Sequence, residues 1–311
     1  MGKLHSRWPW NRSSPSIDHV PPTANSTSPG QSSTPIFLHG VEVLHDCPDA
    51  NIDICFVHGL TGNRRSTWTA RGQSVPWPKT LLPSELSKAC ILTYGYNAYV
   101  VSKSVTSTNR LIDHATDLLV DLTNDRRRRN TLSRPLIFVA HGLGGLVCKE
   151  AILLSQNNPN RTLQDLFTHI RGIVFIGTPH KGSWMADWAR IPAAALGIVK
   201  STNKSLLKIL EPDDKFLESI NIRFLAMMRG QRKEGRQLEV ACFFEELPLP
   251  IVGKVVSKES ATFEGYDPIA IHANHIDMAR FRSAEEYGFK MLIKKLTAWG
   301  SEIGKENKQL L

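Results

Sequence analysis

The stretch Leu136-Ile-Phe-Val-Ala-His141-Gly142-Leu143-Gly144-Gly145-Leu146-Val147 constrains this chain more than any other. An apolar strand runs into a glycine-rich sharp turn and straight on into a helix. Such a join brings the strand and helix backbones close together, so it needs small flanking residues, here Ala140 and Gly144, around a strained tip. In the G-x-S-x-G form of this turn the tip is a serine that attacks carbonyl carbon. Here His141 precedes the tip and the tip is Gly142. Glycine has no side-chain oxygen, so no acyl-enzyme can form at that position. It suits strained backbone better than serine, so the turn itself loses nothing.

Around this turn, short β-branched runs alternate with longer helical stretches, the pattern of an α/β fold with a mostly parallel sheet covered on both faces. Strands are expected near Ile36–Leu44, Ile54–His58, Ile91–Tyr94, Leu136–Ala140, Gly172–Ile176 and Val240–Phe244. Residues Arg110–Asn124 place Leu111, Ala115, Leu118, Leu119 and Leu122 on one helical face, and Leu146–Leu154 opens a helix directly after the turn. The segment from about 184 to 232 has helical runs and no strand signal, and is expected to form a cap over the sheet or pack on its side. A last helix is expected over Ala284–Trp299, with no internal repeat anywhere in the chain.

At 311 residues and 41% hydrophobic composition the chain can build one large core. The domain is placed at 36–300, after an arm over 1–35 rich in Ser, Pro, Thr and Asn that is expected to be disordered. A polar tail is expected over 301–311. The arm begins Met1-Gly2-Lys3-Leu4-His5-Ser6, which fits lipidation of Gly2 with Lys3, Arg7 and Arg12 as a second, electrostatic anchor. An organelle-targeting segment or a plain solvated tail fits it too.

Lys and Arg total 38 against 29 Asp and Glu, a formal charge of +9 that favours anionic partners. The run Arg126–Arg129 reads most simply as a solvated loop. Five scattered cysteines with no CxxC pair indicate neither a zinc site nor a disulfide framework, so a reducing, intracellular compartment fits. No metal or cofactor is called for. No apolar run approaches the length of a membrane span, and the chain is expected to be soluble or peripheral on membranes and not secreted.

Other parts of an acyl-transfer site follow in the order nucleophile, acid, histidine. Val240-Ala-Cys-Phe-Phe244 ends at Glu245-Glu246, where an acid could orient an imidazole, and His275 follows in Ala273-Asn274-His275-Ile276. Upstream, Val57-His58-Gly59-Leu60-Thr61-Gly62 has the form of an HG-x-x-G loop, whose backbone N–H at Leu60 would join that of Leu143 as an oxyanion hole. Singly, each has a plain reading: a core histidine, a surface charge, a tight turn. His180 is a competing histidine, but it precedes the acid and ends a different strand, so it reads as structural.

Together these motifs resemble the serine-esterase family that includes the serine-active-site-containing proteins and the N-terminal hydrolase domains of fungal NACHT and ankyrin-repeat receptors. The resemblance runs from about Ile54 to Tyr287. It is carried by Val57-His58-Gly59-Leu60, Trp77-Pro78, Ile91-Leu-Thr-Tyr94-Gly-Tyr96, the turn at His141, Gly172-Ile-Val-Phe-Ile-Gly-Thr178-Pro179-His180-Lys-Gly182-Ser183, Phe243-Phe-Glu245-Glu-Leu247-Pro248, Val256-Ser-Lys258-Glu259-Ser260-Ala261 and Ala273-Asn274-His275. It implies an α/β-hydrolase fold with a helical cap insertion and, where the serine is intact, hydrolysis of lipid or ester. Animal relatives are tied to lipid metabolism at contacts of mitochondrion and endoplasmic reticulum. Carried over by position, His275 is the base, Glu245 the acid and Gly142 the place of the missing nucleophile.

The leading expectation is therefore a serine esterase-like or lipase-like protein that binds a lipid or acyl ligand without turnover, a pseudoenzyme with a signalling role. An active esterase using a displaced nucleophile, with Cys148 and Ser155 the nearest candidates, or a His275-activated water is the alternative. A nucleic-acid-binding module using Arg126–Arg129 is a third class, with charge but no motif.

Overall fold

The computed structural model describes residues 38–60, 62–98, 107–181, 214–250 and 252–309, all within one unit, Phe37–Leu311. The arm over 1–35, with Gly2, lies outside the described residues. So does most of the expected cap segment. Among the described residues seven strands form one sheet: β1 (Gly40–His45), β2 (Ile52–Val57), β3 (Ala89–Gly95), β4 (Leu136–His141), β5 (Ile170–Ile176), β6 (Glu239–Glu245) and β7 (Pro268–Ile271). Their order across the sheet is β1-β3-β2-β4-β5-β6-β7. Only β1 runs antiparallel, against β3; the remaining pairs are parallel.

Every residue of β2, β3 and β4 is buried, which explains why these strands read as continuous apolar runs rather than alternating ones. The helices are α1 (Trp77–Thr80), α2 (Leu82–Glu85), α3 (Ser107–Arg128), α4 (Leu143–Gln156), α5 (Arg161–His169), α6 (Asp214–Lys233) and α7 (Tyr287–Gln309). On one face, α3 packs with Leu111, Ala115, Leu118, Leu119 and Leu122 inward, alongside α4, α5 and α6. On the other, Trp68, Trp77 and the inward side of α7 cover the sheet. Trp77 is fully buried, and its indole N–H donates to the Ala279 carbonyl at 2.9 Å, so a large ring is buried with its one polar atom satisfied. The strand order, the antiparallel first strand and the sharp turn after β4 make this an α/β-hydrolase fold.

Three expectations differ from what is found. The sheet has a seventh strand, β7, which the sequence reading missed. The last helix continues past Trp299 to Gln309 in place of the tail expected from 301, because the apolar spacing carries through Ile303. The arginine run is not a solvated loop. It closes the C-terminal end of α3, and Arg126 is fully buried, with Nη1 2.7 Å from Oδ2 of Asp53. Arg134 binds the other oxygen of Asp53 at 2.9 Å, Arg129 reaches Asp46 at 2.6 Å, and Arg128 pairs with Asp125 at 3.0 Å. Arg126 is thus committed to the core, while Arg127 and Arg128 stay exposed on the last turn of α3. Of the expected cap, the described part is α6, which packs on α4 rather than over the strand ends.

Candidate active site

The site gathers at the carboxyl ends of the parallel strands, where open α/β sheets place their ligands. Gly142 is the residue between β4 and α4, with φ 52° and ψ −124°, a conformation costly to any residue with a Cβ. Its N–H donates to the Ile176 carbonyl at 2.9 Å, which ties the turn to β5. The glycine two positions on is required by contact: a Cβ on Gly144 would fall against the backbone carbonyl oxygens of His58 and Val57, the latter at 2.6 Å. The loop after β2 is therefore pressed onto the first turn of α4. This brings Gly59, the neighbour of Leu60, against the turn, with its Cα 3.9 Å from a Cβ built on Gly142, and Leu143, as the first residue of α4, has no intrahelical acceptor for its N–H.

His275 faces Gly142. A Cβ built on Gly142 would have Nε2 of His275 as its nearest neighbour, at 3.3 Å. The imidazole is buried, and burial, with His141 beside it, pushes its pKa well below the ordinary histidine value, so it is neutral at pH 7. Glu245, at the end of β6, approaches the far side of the ring, with Oε2 3.9 Å from Nδ1. That is a close approach rather than a formed hydrogen bond. Burial pushes the Glu245 carboxyl up to about 7, against the pull of N–H donors from Val256, Val255 and His275. The Val256 N–H lies 2.7 Å from Oε1. Backbone ties from Glu246 to Ile271 and Leu247 to Ala273 join the β6 end to the loop that carries His275.

His141 holds that loop from the other side. Its Nε2–H donates to the His275 carbonyl at 2.9 Å, and burial lowers its pKa to about 4, so it stays neutral. The sequence reading noted His141 only as the residue before the tip; nothing local signals its partner 134 positions on. His58, also lowered to about 4 by burial, stacks on Tyr96 at 4.4 Å and donates from Nδ1 to the Gly59 carbonyl at 2.7 Å.

Other side chains once considered for chemistry lie elsewhere. The Ser155 hydroxyl donates to the Leu163 carbonyl at 2.6 Å and accepts from the Phe167 N–H at 3.0 Å, which fixes it to α5. Cys148 is fully buried in the apolar layer, and desolvation raises its thiol well above the usual range. His180 takes part in a second buried cluster. The Lys149 Nζ lies 2.8 Å from its Nδ1 and 3.1 Å from Oδ1 of Asn221, inside a cage of Phe175, Phe224 and Phe263. Burial pushes the Lys149 amine well below its ordinary pKa. Among the described residues no group of three or more His, Cys, Asp or Glu side chains could hold a metal ion, and no helix is long and apolar enough to cross a membrane.

A sharp strand-to-helix turn, a histidine facing its tip and a carboxylate behind the ring define a serine-hydrolase type of site on an α/β-hydrolase fold, here with glycine at the tip. The chain belongs to the family described as "Putative serine esterase (DUF676)", which matches residues 53–211. Protein SERAC1 of Danio rerio is 26% identical over 286 residues, covering 83% of this chain and 41% of that protein. Protein SERAC1 of Homo sapiens is 23% identical over 285 residues, again covering 83% and 41%. The chain thus spans about two-fifths of the length of the curated relatives it matches. Among solved structures, a carboxylesterase of the archaeon Nitrososphaera gargenis is similar with a TM-score of 0.45 at 11% identity, covering 87% of this chain and 100% of that one. The NocB thioesterase domain is similar with a TM-score of 0.44 at 12% identity, covering 83% and 99%.

Proposed function

We propose that this chain is a pseudohydrolase, a member of the serine esterase family that binds an acyl or lipid ligand without turning it over and serves in signalling or recruitment. One observation carries the reading. The elbow, the imidazole and the carboxylate stand together, yet the residue facing His275 at 3.3 Å from a would-be Cβ is Gly142, which has no oxygen. Without the serine, a triad retains only residual catalysis from binding and the oxyanion hole. Among the described residues the two candidates for a displaced nucleophile are otherwise committed: Ser155 is held by α5 backbone and Cys148 is buried in the core. The net charge of +9 suits an anionic membrane surface as the setting.

The test is a fluorophosphonate probe read by intact mass on the wild type and on Gly142→Ser. The expected result is an unlabelled wild type and a labelled Gly142→Ser whose labelling is lost with His275→Ala. A wild type labelled in a His275-dependent way, with the adduct mapped to another residue, overturns the reading.

A further inference from the structure

Lys149 is fully buried halfway along α4, and nothing around Gly142 uses it. Its Nζ lies 2.8 Å from Nδ1 of His180 and 3.1 Å from Oδ1 of Asn221. The rings of Phe175, Phe224 and Phe263 surround it, with centroids at 5.4, 5.4 and 4.5 Å. Asn221 and Phe224 belong to α6, whereas Phe175 lies in β5 and His180 follows it. The amine therefore sits in the seam where α6 packs on α4.

We propose that Lys149, His180 and Asn221 form an acid-sensitive latch, which holds α6 on α4 while the amine is uncharged and frees the helix when the amine takes up a proton. The proposal concerns how α6 is held and stands apart from the reading of the site at Gly142.

The groups around the amine leave it without a counter-ion. On α4 itself, Glu150 turns to Arg223 of α6, 2.7 Å away. After β5 come His180 and the exposed Lys181. From β6 comes Cys242, whose thiol lies 3.8 Å from Nε2 of His180 and is pushed up to about 11 by burial. Phe263 is flanked by Tyr266, whose hydroxyl burial also pushes up. Among the described residues no carboxylate faces Nζ. An ammonium here would exchange water for two neutral acceptors and three ring faces, and burial without an opposite charge favours the free amine. Burial accordingly lowers Lys149 and His180 well below their ordinary values. The imidazole cannot take the charge instead, since a second cation would then stand 2.8 Å from any ammonium.

Of the walls around the amine, α6 is the one that can leave without breaking the sheet. Phe175 is part of β5, and the His180 N–H donates to the Ser260 carbonyl at 2.7 Å. With α6 away, Nζ meets water and returns toward its ordinary value of 10.5. Between the lowered value and 10.5 the open state holds one proton more than the closed one. The released population therefore grows about tenfold for each unit by which the pH falls. Release uncovers Phe224, Met227 and Met228, all buried in the closed state.

The experiment is amide hydrogen exchange on the full chain between about pH 6 and 8.5, read by peptide mass and corrected for intrinsic rates. Amides of α6 are expected to open more readily than those of β4, with an opening constant that rises about tenfold per unit of acidification. Lys149→Met fills much the same space without a titratable group, so its α6 opening should be independent of pH in this range. Thermal melts verify that the variant folds. The wild type decides the matter even if the variant does not fold: α6 amides that exchange only together with β4, or an opening constant flat with pH, overturn the proposal. The flat result would mean that the three rings hold an ammonium in the closed state. A slope that survives in folded Lys149→Met overturns it too, because another group then takes the proton.

Discussion

Nε2 of His141 donates to the backbone carbonyl of His275 at 2.9 Å, so the residue before the turn's tip fixes the residue that faces the tip. Both rings are buried. His141→Phe keeps the ring volume and leaves that carbonyl without its donor, at an expected cost of about 1–3 kcal/mol. Urea unfolding measures it. In a Gly142→Ser background the same change should slow fluorophosphonate labelling, because His275 is no longer held against the tip. Unchanged labelling would mean that the loop is positioned by its ties to β6 alone.

Two glycines should respond to alanine with opposite signs. Gly144→Ala drives a methyl group into backbone oxygen of Val57 at 2.6 Å and of His58, and backbone cannot step aside, so a loss of about 1–3 kcal/mol is expected. Gly300 lies inside α7 with nothing within 4 Å of a would-be Cβ. There alanine should stabilise by about 0.5–1 kcal/mol through helix propensity. Thermal melts of the two variants decide the matter.

The arginine run makes a sharper contrast. Asp53→Ala strands Arg126, fully buried, and Arg134 beside it, and should cost about 3–5 kcal/mol. Arg128→Ala removes an exposed partner of Asp125 and should change stability by less than about 1 kcal/mol. Comparable losses in the two variants would contradict the buried placement of Arg126.

Glu245 should leave a signature in the pH dependence of stability. Its carboxyl is raised from 4.5 to about 7 in the folded protein. Between those values the folded state holds a proton that the unfolded state has lost, so stability falls as pH rises through this window and stays lower above it. Glu245→Gln removes the penalty while its amide oxygen can still accept from Val256. The advantage of the variant over wild type should therefore grow from pH 4.5 to 7 and then level off, at about 3 kcal/mol in all. A difference that is flat with pH would mean that Glu245 is not desolvated.

Much of this architecture was readable before any coordinates because the central strands are buried on both faces and so appear as unbroken β-branched runs. That Gly142, Glu245 and His275 would be brought together was legible from chain order alone. Strand β7 was not, since it is four residues long and opens on an exposed proline, too short to show a period. The arginine run misled because four adjacent cations advertise solvent, while the carboxylate that buries one of them lies 73 residues earlier. Lys149 escaped notice for the same reason. On its helix it looks like a surface residue, and its partners His180 and Asn221 come 31 and 72 positions later.

The backbone at Gly142, φ 52° and ψ −124°, has an evolutionary corollary. A serine in that conformation is held at a cost of about 1–3 kcal/mol, which the surrounding fold must carry for as long as catalysis is selected. Glycine relieves that burden at once, so any exchange of serine for glycine at such a tip also widens the margin within which neighbouring positions can drift. Each drifted position then leans on the widened margin, and reversion to serine must overcome both the strained turn and what has accumulated around it. The elbow behaves as a ratchet, easier to leave than to re-enter.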